Sequence, residues 1–144
     1  MNIKYTPLRK QERKRSASES KAHAMRNVPQ PGNPTRGSAT GRPIMALLDL
    51  LGRRWALRII WELREQPLSF RDLQARCDAI SSSVLNDRLT ELKAAGIVQS
   101  AANGYTLTKE GRRLLDIYPP VQAWAERWAK RQRAAAESRA SHSP

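Results

Sequence analysis

Beyond residue 42 the apolar positions repeat at helical spacing, switch once to strand-like alternation, and then return to helical spacing. Pro43 suits the first turn of a helix. Ile44, Leu47, Leu48 and Leu51 follow at i, i+3, i+4 and i+7, and Gly52 closes the stretch. A second helix is predicted over 53–65. Ala56, Ile59, Ile60 and Leu63 form its stripe, and Trp55, Leu57 and Trp61 widen it. Only Arg54, Arg58, Glu62 and Glu65 make a polar strip, so this helix is expected at the centre of the core. Pro67 stops it.

Residues 69–95 read as two short helices joined by a tight turn. Ser69 and Asp72 have the S-x-x-D spacing of a capped helix start. Phe70, Leu73 and Cys77 face one way, Ile80 is a buried turn residue, and Ser81 caps the next helix. That helix buries Val84, Leu85, Leu89 and Leu92, and Gly96 ends it. Its outward positions are Ser82, Ser83, Asn86, Asp87, Thr90 and Lys93.

Residues 97–108 change to strand period around Asn103-Gly104, a hairpin turn signal. A two-residue loop there pairs Ala102 with Tyr105 and Ser100 with Leu107, with Val98, Tyr105 and Leu107 toward the core. Thr108 caps a helix from Lys109 to about Tyr118, which Pro119-Pro120 is expected to break or bend. A last helix carries Val121, Trp124, Ala125 and Trp128 to about residue 136, and the polar end frays. The predicted fold is mainly α with a small β-hairpin. A helix-turn-helix followed at once by a hairpin is the winged helix-turn-helix plan, with the second helix of the pair in the major groove.

Charge changes this picture. The 144 residues carry a net +13, which points to a polyanionic partner or surface. Residues 1–42 hold ten basic residues and two acidic ones, and the stretch 28–43 is rich in Pro and Gly without a periodic apolar face. A disordered basic tail is therefore expected over 1–42, an ordered domain over 43–133, and a flexible end over 134–144. The tail reads as a solvated arm, extra codons before a start at Met25, or an arm that touches DNA phosphates. A single cysteine, Cys77, excludes an internal disulfide and fits a reducing, cytoplasmic setting. No apolar run is long enough for a membrane span, and no apolar segment follows the basic start as a secretory signal requires, although an Arg- and Ser-rich start also resembles a transit peptide in composition.

The outward face of the second paired helix supplies the candidate chemistry. Asn86 suits adenine N6/N7, Ser82 and Ser83 suit bases or phosphates, and Asp87 suits a cytosine amino group or orients a neighbouring arginine. Thr90 completes the face. Arg54, Ser69, Arg71, Arg88 and Lys93 are candidate phosphate contacts, with Asn103 at the hairpin tip as a further contact to DNA. The alternative is an ordinary solvated face, with Arg88 paired to Glu91 or Asp87. The four tryptophans, at helical spacing, read as core or interface before ligand pocket. Cys77 reads as a small buried hydrophobe. The two histidines, His23 and His142, lie in the tails, and there is no metal-ligand cluster, phosphate loop or nucleophile motif, so no enzyme and no cofactor is expected.

The run 50–55, LLGRRW, together with PLSFRDL at 67–73, Ile80-Ser81, VLNDRL at 84–89, Glu91-Leu92, AGIV at 95–98 and YTLTKEG at 105–111, resembles the HxlR-type winged helix-turn-helix transcription regulators, relatives of the MarR group. The resemblance covers about residues 43–130. It implies a bacterial, homodimeric DNA-binding regulator whose first and last helices make the dimer contact, here through Leu47, Leu51, Val121, Trp124 and Trp128. Three departures stand out. Arg42 occupies the place where the family often has a cysteine, through which some members sense oxidants. The hairpin tip Ala101-Ala102-Asn103-Gly104 is short and uncharged, so no tip arginine is available for the minor groove. Arg53-Arg54 replaces Gly-Lys.

The function expected from the sequence is sequence-specific binding of double-stranded DNA by a dimeric regulator, with the recognition helix at 82–95 and the wing at 97–108. The alternatives are a winged-helix module that binds protein, and a non-specific architectural DNA binder driven by the basic arm. The operator, the sign of regulation and any small-molecule effector are not encoded in a readable way.

Overall fold

The computed structural model describes residues 18, 19, 22 and 28–142. From Pro43 onward the elements are α1 (Pro43–Leu51), α2 (Ala56–Glu62), α3 (Phe70–Arg76), α4 (Ser82–Ala94), β1 (Val98–Ala101), β2 (Gly104–Leu107), α5 (Lys109–Leu114), a 3-10 turn (Leu115–Ile117) and α6 (Tyr118–Ala140). The helix starts follow local chemistry. Pro43 opens α1, and the hydroxyls of Ser69, Ser81 and Thr108 accept from the amides of Asp72, Val84 and Gly111. Each such cap is worth about 1 kcal/mol. Ile59, Ile60, Leu63, Leu73, Leu85 and Leu92 are fully buried and form the centre of a core closed by Val98 and Leu107 of the hairpin. Cys77 lies in this core with them.

Several boundaries differ from the sequence reading. Helix α2 starts at Ala56, not at 53, because Trp55 takes a left-handed conformation (φ 76°) and makes the α1–α2 connection a sharp corner. Helix α1 is apolar on two sides, and the core takes Ala46, Leu50 and Leu51, leaving Ile44 and Leu48 exposed at 56% and 53%. The break expected at Pro119-Pro120 falls just before them: α5 ends at Leu114, a 3-10 turn covers Leu115–Ile117, and a new helix begins at Tyr118. The prolines sit in the first turn of α6, where a missing amide hydrogen costs nothing. Helix α6 continues to Ala140, so 134–140 is helical, not a loose tail.

The hairpin register also differs. Val98 faces Leu107, Ser100 faces Tyr105 and Ala101 faces Gly104, so the turn is Ala102-Asn103. Gly104 (φ 154°) lies in the strand itself, and a Cβ there would collide with the Leu68 carbonyl. Glycine is needed for this approach, not for the tip. The approach lets Leu68 and Tyr105 exchange backbone hydrogen bonds of 3.0 and 2.9 Å, which pin the hairpin to the start of α3.

Most of the basic stretch 1–27 lies outside the described residues. Within them, the expectation of disorder over 28–42 is corrected. This segment forms turns closed by Gly32 N–H to Gly41 O (2.8 Å) and by reciprocal bonds between Thr35 and Ser38 (2.9 and 3.0 Å). Gly41 is left-handed (φ 64°), and any Cβ there would strike the Asn33 backbone. Val28 is buried, and Pro29 and Pro31 line a cavity together with Ala46, Leu47 and Leu50 of α1. Composition undercounts such a segment, because its order comes from backbone turns and a few apolar covers, not from a periodic face.

Candidate nucleic-acid interface

The site is built on the α3–α4 pair. After α3, Asp78 and Ala79 are both left-handed (φ 52° and 55°), which turns the chain sharply enough to bring α4 across α3. Gln74 fixes that turn. Its side-chain amide donates to the Ile80 carbonyl (2.9 Å) and to the Ser82 hydroxyl (3.1 Å), joining α3 to the first residue of α4. The Ser81 hydroxyl accepts from the Val84 amide (3.3 Å) and so holds the N-terminus of α4 in helical form. One side of α4 buries Leu85, Leu89 and Leu92, and the other presents Ser82, Ser83 and Asn86 to solvent. These small polar groups at the start of a helix are suited to base edges and phosphates.

The remaining candidates divide into three sets. Arg54, Arg71 and Lys93 are exposed, as is Asn103 at the hairpin turn. Lys93 lies over the Tyr105 ring (5.3 Å), at the junction of α4 and the hairpin, and Arg54 lies over Trp55 (5.4 Å). Asp87 is half-buried. Ser69 is half-buried, and its hydroxyl is occupied in capping α3. Thr90 departs from the outward face drawn from the sequence, and Arg88 takes the alternative drawn there for it, a pairing with Glu91. Thr90 is buried, and its hydroxyl donates to the Asn86 carbonyl one turn back (2.9 Å), which satisfies it without solvent. Arg88 turns inward. Its Nε donates to the Arg54 carbonyl (2.8 Å) and its Nη1 to both carboxylate oxygens of Glu91 (2.9 and 3.0 Å). Gln74 and Arg53 were not singled out as site residues by sequence pattern. Only the Arg88–Glu91 spacing of i, i+3 gave a signal for one of these links.

The expected dimer residues are also sorted by the structure. Trp124 and Trp128 are stacked (centroids 6.0 Å apart) and exposed at 53% and 48%, and Val121 is exposed with them. Ile44, Leu48 and Leu57 are exposed as well, and Leu48, Leu57 and Val121 line one groove. Leu51 and Leu47 do not share that exposure. Leu51 is buried but lines a groove of about 430 Å³ with Leu48, Leu57 and Val121, and Leu47 is half-buried and lines a separate cavity with Pro29 and Pro31. Trp61 stacks on Tyr118 (5.5 Å), whose hydroxyl donates to the Leu57 carbonyl (2.8 Å) and whose pKa is pushed up to about 12 by burial. Burial likewise raises the Cys77 thiol. Among the described residues no helix is long and apolar enough to cross a membrane.

Comparison with known proteins follows this geometry. The profile of the HxlR-like helix-turn-helix family matches residues 50–133. The HTH-type transcriptional regulator YodB of Bacillus subtilis is 33% identical over 89 residues, spanning 57% of this chain and 80% of that protein. The uncharacterised HTH-type transcriptional regulator MJ0925 of Methanocaldococcus jannaschii is 28% identical over 88 residues, 58% of this chain and 83% of that protein. The crystal structure of quinone-bound YodB matches with a TM-score of 0.57 at 34% identity, over 59% of this chain and 97% of that one. A transcriptional regulator of the MarR family from Enterococcus faecalis V583 matches with a TM-score of 0.57 at 27% identity, over 71% and 99%. These relatives are transcriptional regulators, not enzymes.

Proposed function

The chain belongs to the HxlR-like helix-turn-helix family of transcriptional regulators, and from that premise we propose that it acts as a homodimer that reads a two-fold related DNA site with one α4 per half-site. The N-terminal turn of α4 enters the major groove, with Asn86 and the hydroxyls of Ser82 and Ser83 at the base edges. Arg54, Arg71 and Lys93 neutralise phosphates, and Asn103 of the wing reaches the adjoining backbone. Ser69 contributes through the N-terminus of α3, which its hydroxyl caps. The observation that carries this reading is the exposed polar start of α4, held rigidly by the Ser81 cap and the Gln74 staple.

The dimer reading is supported by the apolar surface of α1, α2 and α6. Ile44, Leu48, Val121, Trp124 and Trp128 are all exposed, with Leu48 and Val121 lining one groove and Trp124 stacked on Trp128, and a monomer in water rarely keeps so much large apolar surface open. A second copy placing the same helices against it buries that surface symmetrically. A small-molecule effector is consistent with the quinone-bound YodB relative. A thiol route to such control has little support in this chain, because Arg42 occupies the family's frequent cysteine position and Cys77 is fully buried with a raised pKa.

Selection of bound fragments from a random DNA pool tests the proposal. The expected product is a pair of related half-sites spaced by about one helical turn, roughly 10 base pairs. Recovery of unrelated sequences with uniform affinity would favour non-specific, architectural binding instead.

A further inference from the structure

The buried polar cluster behind α4 carries an inference that rests on the DNA-binding reading and goes beyond it. Glu91 has a side chain only 5% exposed, yet it sits among apolar residues as a charged group. Its Oε1 accepts from Arg53 Nη1 (2.8 Å) and from Arg88 Nη1 (2.9 Å), and its Oε2 accepts from Arg88 Nη1 (3.0 Å). Arg88 Nε donates to the Arg54 carbonyl (2.8 Å). The cluster therefore ties α4 to both residues that precede the left-handed Trp55, the corner between α1 and α2. A buried carboxylate is tolerated only when paired and hydrogen-bonded in this way.

Position on the helix separates this cluster from the reading face. Asn86 and Arg88 are two residues apart, which is about 200° around an α-helix. Asn86 is exposed, while the Arg88 side chain is 20% exposed and its Nε and Nη1 point at protein acceptors. We propose that Arg88, Arg53 and Glu91 form a clamp that sets the angle of α4 against the α1–α2 corner, and that Arg88 serves DNA recognition as a positioning residue through this clamp, not as a phosphate contact. The corner also follows the helix whose Ile44 and Leu48 form part of the apolar surface assigned to the dimer. The clamp thus fixes how each recognition helix is presented relative to its partner copy.

The test uses the full chain, DNA carrying the site that the wild-type protein selects from a random pool, and unrelated duplex of the same length. Affinity is measured across a salt series for wild type, Arg88→Lys, Arg88→Ala and Glu91→Gln, with thermal unfolding run on each. Arg88→Lys keeps the charge but loses the fork that spans Glu91 and the Arg54 carbonyl. The clamp requires Arg88→Lys and Glu91→Gln each to weaken the selected site by about tenfold or more, with unrelated DNA bound within about twofold of wild type. It also requires the slope of log affinity against log salt to be unchanged in Arg88→Lys and Arg88→Ala. A phosphate contact predicts the reverse: near-normal binding by Arg88→Lys, no loss in Glu91→Gln, and a slope lowered by about 0.9 in Arg88→Ala. That pattern overturns the clamp while leaving the DNA reading intact. Should Glu91→Gln unfold, Arg88→Lys alone decides, by keeping or losing selectivity. No binding by the wild-type chain would overturn the DNA reading and the clamp's role with it.

Discussion

Helices α4 and α6 make opposite use of their apolar residues. Helix α4 spans 13 residues and buries Leu85, Thr90, Glu91 and Leu92 among others, so its inner side is complete within one chain. Helix α6 spans 23 residues and buries none, although it carries Val121, Trp124 and Trp128 at helical spacing. Both look amphipathic in sequence. The difference is that α4 finds its apolar partners in the core and presents polar groups outward, whereas α6 presents Trp124 and Trp128 outward.

Breaking the unfinished side has the largest expected effect. Trp124→Glu places a charge in the proposed seam and is expected to convert a dimer into a monomer. Sedimentation velocity would show this, with affinity for a two-half-site DNA falling by roughly 100-fold or more as avidity is lost. The same change should remove any concentration dependence of the unfolding temperature. On the finished side, Leu85 is fully buried, so Leu85→Ala is expected to cost about 3 kcal/mol in urea unfolding of the same dimer-broken background. A smaller effect of opposite sign is expected at the turn that aims α4. Ala79 holds a left-handed conformation, and Ala79→Gly should stabilise the chain by about 1 kcal/mol in the same measurement. An effect confined to alkaline pH separates the anchored start of α6 from its exposed remainder. Burial raises the Tyr118 pKa to about 12, so the folded state favours the neutral phenol. That contribution is full below pH 10 and is lost as the pH rises toward 12. Unfolding titrations should therefore show a steeper alkaline loss of stability for wild type than for Tyr118→Phe.

Legibility in the sequence followed the range of each interaction. The three serine and threonine caps and the core stripes of α2 and α4 were readable, because each depends on residues a few positions apart. The hairpin register was not, because the backbone exchange between Leu68 and Tyr105 competes with the Asn-Gly turn signal and places Gly104 in the strand. The Trp55 corner was likewise hidden, since nothing local favours a left-handed tryptophan, and it is tied to α4 through the Arg54 carbonyl by Arg88. At the site, Ser82, Ser83 and Asn86 stood where helical periodicity placed them. Thr90 sits on the border of the face, and its own helix carbonyl satisfied the hydroxyl that pattern had assigned to DNA.

Base reading by α4 rests most directly on Asn86, the exposed amide on its first turns. Binding of Asn86→Ala is to be compared with wild type on the selected site and on unrelated duplex at one salt concentration. The expected result is a loss of about 10- to 100-fold on the selected site alone, the discrimination carried by one bidentate base contact. Equal binding to the two DNAs by wild type, or an equal loss on both by Asn86→Ala, would contradict base reading by this helix.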